Sequence, residues 1–161
     1  MTLEAFNRQS KEKAKEDLLR CCSSNAWADR LLDFFPFHSI EDLKIHSDKT
    51  WFSLEEKDWL EAFAGHPKIG EKNLKGSSWA KDEQSSVNNA KQATLGELEK
   101  LNEAYFQKFG FIFIICATGK TTDEMLAHLK ERIHNDKARE MHNAANEQNL
   151  ITHLRIDKLF S

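Results

Sequence analysis

Apolar positions recur along this chain at three- and four-residue steps, and the breaks between the runs carry serine. That spacing gathers the apolar side chains on one face of a helix, because 3.6 residues complete a turn. Ser10 precedes "KEKAKEDLLRC", Ser24 precedes "NAWADRLLDFF", and Ser39, with Asp42 three residues on, precedes "IEDLKIHSDKTWF". Each serine is suited to accept a hydrogen bond from the first free N–H groups of a helix. Ser53 and Glu56 match a capping box opening "LEEKDWLEAFAG", with Leu60 and Phe63 on one face and Gly65 placed to end it. The longest pattern is "KDEQSSVNNAKQATLGELEKLNEAYFQKFG", where Val87, Ala90, Thr94, Leu98, Leu101 and Tyr105 form one stripe and Gly110 stands at the exit. "TTDEMLAHLKERIHND" restores the period through Met125, Leu126, Leu129 and Ile133, and "KAREMHNAANEQNLITHLRIDKLF" closes the chain with another amphipathic helix.

One stretch breaks the period. "FIFIICA", residues 111–117, is continuously apolar and rich in β-branched and aromatic side chains, which fits a buried extended segment or a helix fragment. A single strand makes no sheet, and 2 Pro and 6 Gly leave little turn material for many short strands. The expected fold is all-α: a single domain over residues 1–161, built as a bundle of roughly seven to nine helices with one short extended segment near 111–117. A chain of 161 residues suffices for one core and is short for two.

Composition narrows the function classes. Eleven Phe and 4 Trp supply ample apolar area for a core. The net charge of -3 comes from interspersed Lys and Glu, which leaves no electrostatic footprint for nucleic acid or an anionic membrane. A small neutral or anionic ligand fits better. No apolar run approaches the roughly 20 residues that span a bilayer, "MTLEAFNRQS" lacks a secretory pattern, and the terminal "KLFS" is not a peroxisomal address. A cytoplasmic protein is expected, with Cys21, Cys22 and Cys116 as reduced thiols.

Candidate chemistry comes from polar residues on apolar faces. Extending the stripe of the long helix backwards from Val87 reaches Glu83 and Gln84; an acid there serves equally well as a complement to the helix dipole. In the last helix Gln148, Ile151, Arg155 and Leu159 share a face, so Arg155 either snorkels to water or pairs with a carboxylate or other anion. His66, in "AGHPKIG", follows a helix exit: Gly65 permits close backbone approach, and Pro67 pushes His66 toward extended geometry. Such pre-orientation suits proton transfer. The remaining histidines, at 38, 46, 128, 134, 142 and 153, show no metal-ligand spacing, Cys116 reads as packing, and "TGK" at 118–120 lacks the upstream glycine of a phosphate loop.

Taken together, "FN" at 6–7, "HPKIG" at 66–70, "EQ" at 83–84, "KFGFIFIICATGK" at 108–120 and "LRIDKL" at 154–159 resemble the OHCU decarboxylase family of urate degradation, where OHCU is 2-oxo-4-hydroxy-4-carboxy-5-ureidoimidazoline. The resemblance spans nearly the whole chain and implies an all-helical, usually dimeric enzyme that needs no cofactor and no metal. It implies that the chain decarboxylates OHCU to (S)-allantoin, with His66 as catalytic proton donor, Glu83 and Arg155 beside it in the catalytic set, and Pro67, Gln84 and the backbone of Phe113, Ile114, Ile115, Cys116 and Ala117 along the substrate. The implied partners are the small-molecule substrate and a second copy of the chain. An acid/base hydrolase of a related cyclic ureide and a non-catalytic ureide-binding module are the alternatives. Three positions depart from the family pattern: Ala80 where a serine is frequent, Ile112 where proline is usual, and Thr118 where arginine is frequent.

Overall fold

In the computed structural model, which describes residues 1–68 and 92–161, the described residues form eight α-helices and one 3-10 turn and include no strand. The residues divide into two compact units, Met1–Gly65 with Gln148–Ser161, and His66–Glu147.

The first unit contains α1 (Leu3–Asn7), α2 (Lys11–Cys21), α3 (Asn25–Leu31), the 3-10 turn Leu32–Phe34, α4 (Ile40–Phe52) and α5 (Glu56–Ala64). The second half of α8 (Lys137–Leu159) completes it. Three expected caps are in place: the side chains of Ser10, Ser24 and Ser39 accept from the backbone N–H groups of Lys13, Trp27 and Asp42. Ser53 is different. It ends α4, its hydroxyl donating to the Thr50 carbonyl at 2.8 Å, and α5 opens two residues later at Glu55, whose N–H is accepted by Asp58 at 3.3 Å. The buried face of α5 is accordingly Trp59, Ala62 and Phe63, while Leu60 is 38% exposed. Trp59 precedes Phe63 by four residues and carries more apolar area than Leu60, so it takes the inward position.

Aromatic packing with satisfied donors builds this unit's core. The indole N–H of Trp27 donates to Ser47 Oγ at 3.1 Å and that of Trp59 to the Trp51 carbonyl at 2.9 Å. Phe6 is fully buried with Phe35, Phe37 and Phe160 around it. Next to it Asn7 clamps the Phe37 backbone from both sides, donating to its carbonyl at 2.8 Å and accepting from its N–H at 3.1 Å. The "FN" pair thus anchors α1. Asp48 of α4 receives Asn149 Nδ2 at 3.1 Å and lies 2.6 Å from His153 Nε2, tying α4 to the end of α8.

The second unit contains α6 (Gln92–Phe109), α7 (Thr122–Arg132) and the first half of α8. Leu98, Asn102, Tyr105 and Phe109 are the buried face of α6, with Thr94 and Leu101 at its border; Val87 and Ala90 lie outside the described residues. Gly110 ends α6 with φ +82°, its N–H donating to the Phe106 carbonyl at 2.8 Å, the left-handed exit that glycine adopts without a Cβ penalty. Residues 112–117 then run as neither helix nor strand, and Met125, Leu126 and Leu129 bury α7. No described helix is long and apolar enough to cross a membrane.

Gly65 is required for space, not for an unusual backbone angle. Its φ is −76°, but a Cβ there would lie 2.5 Å from Ser23 Oγ and 2.7 Å from Ser23 Cβ. Gly65→Ala is expected to lower stability by roughly 1–3 kcal/mol, as overpacking does. Adding Ser23→Gly should recover much of that loss in urea melts, whereas an unchanged midpoint for Gly65→Ala alone would contradict the close approach.

Candidate active site

His66 follows α5 and its cap, Gly65, whose N–H donates to the Ala62 carbonyl at 3.1 Å. Pro67 fixes its own φ and disfavours a helical His66, so the chain leaves the helix at the imidazole. His66, Pro67 and Lys68 are half-buried. The residues that flank the His-Pro pair, Gly65 and Lys68, are both held. On the first unit's side Gly65 lies against Ser23. On the second unit's side Lys68 Nζ reaches Glu103 Oε2 at 3.0 Å and sits 5.3 Å from the centre of the Phe106 ring. The Gln107 amide and the Lys68 ammonium together hold the Glu103 carboxyl below its ordinary value.

Arg155 belongs to the first unit and is only 7% exposed, so it does not snorkel. The buried face expected for α8 is present: Gln148, Ile151, Arg155 and Leu159 are all buried. The Arg155 charge is felt by the thiols of Cys21 and Cys22. Burial pushes the Cys21 thiol up to about 12 against the pull of the Arg155 guanidinium. Burial likewise raises Cys22 to about 12, against hydrogen bonds from the Ser24 backbone and the Thr152 side chain and the charge of Arg155. Both thiols are free and neutral at physiological pH.

Phe113, Ile114, Ile115, Cys116 and Ala117 form a continuous buried wall in the second unit, each 7% exposed or less. Irregular backbone buried this deeply must find partners for its polar groups, and side chains provide them. Arg132 Nη1 donates to the Ile114 carbonyl at 2.8 Å, Glu147 Oε1 accepts from the Cys116 N–H at 3.3 Å, and Lys120 Nζ donates to the Cys116 carbonyl at 2.8 Å. The Arg132 guanidinium also covers the Phe113 ring at 4.5 Å, and Tyr105 packs edge-on to that ring at 5.4 Å. Cys116 is packed as expected, 7% exposed.

At the centre of these contacts stands Glu140, fully buried on α8. Its Oε1 receives the Tyr105 hydroxyl at 2.7 Å and Arg132 Nε at 2.8 Å. Its Oε2 receives Asn135 Nδ2 at 2.9 Å and Asn143 Nδ2 at 2.6 Å. Burial alone would raise this carboxyl; the hydrogen bonds of Asn135, Tyr105 and Asn143 and the Arg132 charge outweigh it and hold the group below the ordinary carboxylate value. The same burial, with the bond to Glu140, drives the Tyr105 phenol upward.

Of this hub, residue spacing marks Tyr105 as part of a buried stripe but does not single out Glu140 or Arg132, although their signal is present in the sequence. Stepping back from Gln148 by fours reaches Ala144 and then Glu140, and stepping on from Leu129 by three reaches Arg132. Both are charges on apolar faces, like Arg155. Glu83 and Gln84, with Ala80, lie outside the described residues. Of the other departures, Ile112 is half-buried and Thr118 exposed. Among the described residues no cluster of three His, Cys, Asp or Glu side chains has metal-site geometry.

The fold and these residues define an all-helical protein whose ordered motifs fall on a helix exit, a buried irregular wall and a buried terminal arginine. A family model described as OHCU decarboxylase matches residues 7–157. The chain is 43% identical over 150 residues to the uric acid degradation bifunctional protein TTL of Arabidopsis thaliana, across 88% of this chain and 45% of that protein. It therefore spans less than half the length of that relative. A 2-oxo-4-hydroxy-4-carboxy-5-ureidoimidazoline decarboxylase of Halalkalicoccus jeotgali is 27% identical across 99% of this chain and 92% of its own. Among solved structures, an OHCU decarboxylase crystallised in the presence of (S)-allantoin superposes with a TM-score of 0.81 at 38% identity, covering 94% of this chain and 99% of that one. An (S)-allantoin synthase shares the fold at 18% identity, with a TM-score of 0.76 across 99% of this chain and 54% of that one. The chain belongs to the OHCU decarboxylase family.

Glu140 links this wall to pH. Its folded carboxyl titrates below the unfolded value, so it contributes stability that is fully present above the unfolded value and lost as pH falls through the folded one. Urea midpoints are expected to fall on acidification from about pH 5 downwards. Glu140→Gln should flatten that acid limb and, by leaving the Arg132 charge buried without its carboxylate, cost about 3–5 kcal/mol at neutral pH. An acid limb of wild-type steepness in the variant would contradict the assignment.

Proposed function

We propose that this chain decarboxylates 2-oxo-4-hydroxy-4-carboxy-5-ureidoimidazoline to (S)-allantoin. The observation that carries the proposal is the family match over residues 7–157, supported by the structural likeness to an OHCU decarboxylase at 38% identity over nearly its full length. His66, Glu83, Gln84 and Arg155, in that order along the sequence, provide the chemistry.

The bond from C4 to the carboxylate breaks and CO2 leaves. Its electron pair forms a C4=C5 double bond as the neighbouring C5=N π pair moves onto nitrogen. The substrate is its own electron sink, so the chain has only to orient the ring and control a proton. The C4 hydroxyl passes its proton to that nitrogen and becomes the carbonyl, while the C4=C5 pair takes a proton from the His66 imidazolium on one face of C5, which fixes the S configuration. Glu83 holds the imidazole or the ureido N–H groups, Gln84 reads the ring amides, and Pro67 bounds the ring. Backbone groups of Phe113 to Ala117 pair with the ring edge. Arg155 complements a negative oxygen without gripping the departing carboxylate so tightly that its loss slows. On the family resemblance we extend the proposal to a cytoplasmic homodimer that uses no cofactor.

The test generates the substrate enzymatically from urate and follows its loss together with the circular dichroism of the allantoin formed. Acceleration over the spontaneous reaction, with an S-allantoin signal, is expected. Ring opening without CO2 release would identify a hydrolase, and allantoin binding without turnover a binding module; either rejects the proposal. His66→Asn should lower kcat about 10²-fold or more with helicity intact, the range lost with a general acid, and full retention would remove His66 from the chemistry.

A further inference from the structure

The hydrogen bonds given to residues 114–117 alternate in a way that constrains the groups between them. A peptide unit is planar, and the only cis bond among the described residues is Phe35–Pro36, so in each unit here the C=O and the following N–H point in opposite directions. Arg132 grips the Ile114 carbonyl, which aims the Ile115 N–H the opposite way. Glu147 grips the Cys116 N–H, which aims the Ile115 carbonyl away from it. Lys120 grips the Cys116 carbonyl, which aims the Ala117 N–H away from the ammonium. Three charged side chains thereby set the directions of two donors and one acceptor in succession.

We infer that Arg132, Lys120 and Glu147 are positioning residues that aim the Ile115 N–H, the Ala117 N–H and the Ile115 carbonyl at the substrate ring. This rests on the proposal that Phe113–Ala117 contact the substrate. An imide or ureide edge presents alternating N–H and C=O groups, and a donor–acceptor–donor row of backbone groups matches such an edge. Arg132 carries the most. Its planar fork spans two acceptors at once, Glu140 through Nε and the Ile114 carbonyl through Nη1, while its face covers Phe113. The ammonium of lysine cannot reproduce that fork. Nη2 remains buried with no hydrogen-bond partner among the described residues, a cost the chain accepts in holding the other two nitrogens where they are.

Lys120 is a milder handle, since it is half-exposed and its removal leaves the Glu140 hub intact. Leu129, fully buried on α7 of the same unit, provides a control that lowers stability without touching the wall's hydrogen bonds. Steady-state kinetics on enzymatically generated substrate would compare Arg132→Lys, Lys120→Met and Leu129→Ala, each well below its own melting temperature. Arg132→Lys is expected to lose about tenfold or more in kcat, with KM changing by less than about threefold, because small misplacement of a positioning group falls on the transition state. Lys120→Met should lose kcat in the same sense with an unchanged melting temperature, and Leu129→Ala should keep kcat. Wild-type kcat in folded Arg132→Lys, or an equal loss in Leu129→Ala, overturns the inference. Should Arg132→Lys fail to fold, wild-type kcat in Lys120→Met overturns it instead. An inactive wild-type chain would sink the functional proposal itself, a different outcome from an active wild type with indifferent variants.

Discussion

A carboxylate with no access to water must be surrounded by donors, and Glu140 is surrounded by four. Taking that charge out of water is expensive, and removing any one donor leaves part of the expense uncompensated. The second unit is arranged around this requirement. Tyr105 from α6, Arg132 from the end of α7, Asn135 from the turn after it, and Asn143 one turn along α8 all converge on the two oxygens. The elements that supply them are thereby fixed relative to one another within the unit. Because Arg132 extends from the same site to Ile114, the irregular wall inherits its position from the carboxylate.

That inheritance explains why a stretch as apolar as "FIFIICA" folds as neither helix nor strand. All of its side chains but the half-buried Ile112 are buried, which removes the amphipathic signal that would distinguish the two, and its backbone is satisfied by side chains and not by a ladder. Aromatic stacking adds shape. Phe109, Phe111 and Phe113 each pack against the Tyr105 ring, so the residue that donates to Glu140 also receives the wall's aromatic side chains. Polar and apolar contacts meet on one tyrosine.

Much of this was legible from residue spacing. The helical period places α2 to α8, the serine caps mark the starts of α2, α3 and α4, and Gly110 marks the exit of α6. Ser53 misled because Glu55 with Asp58 offers a competing start two residues on, and the register shift exchanged Leu60 for Trp59. His66 and Arg155 stood out because each is a polar side chain in a setting that propensity does not explain. Glu140 and Arg132 did not, although both break an apolar face, because a charge near a helix end or in its first turns is common on solvated surfaces. Only burial distinguishes the two cases, and burial depends on contacts between α6, α7 and α8 that no local window contains. Gly65 was legible as a close approach, but its partner, Ser23, is more than 40 residues away in sequence.

If the buried carboxylate sets the position of the wall, loosening it must be felt first at residues 111–120. Amide hydrogen exchange on Glu140→Gln beside the wild type measures this directly, because local opening and global unfolding separate by region. The account requires the amides of residues 111–120 to lose protection by about tenfold or more while those of α2 and α4 in the first unit keep theirs. Unchanged protection at 111–120, or an equal loss across the whole chain, would contradict it.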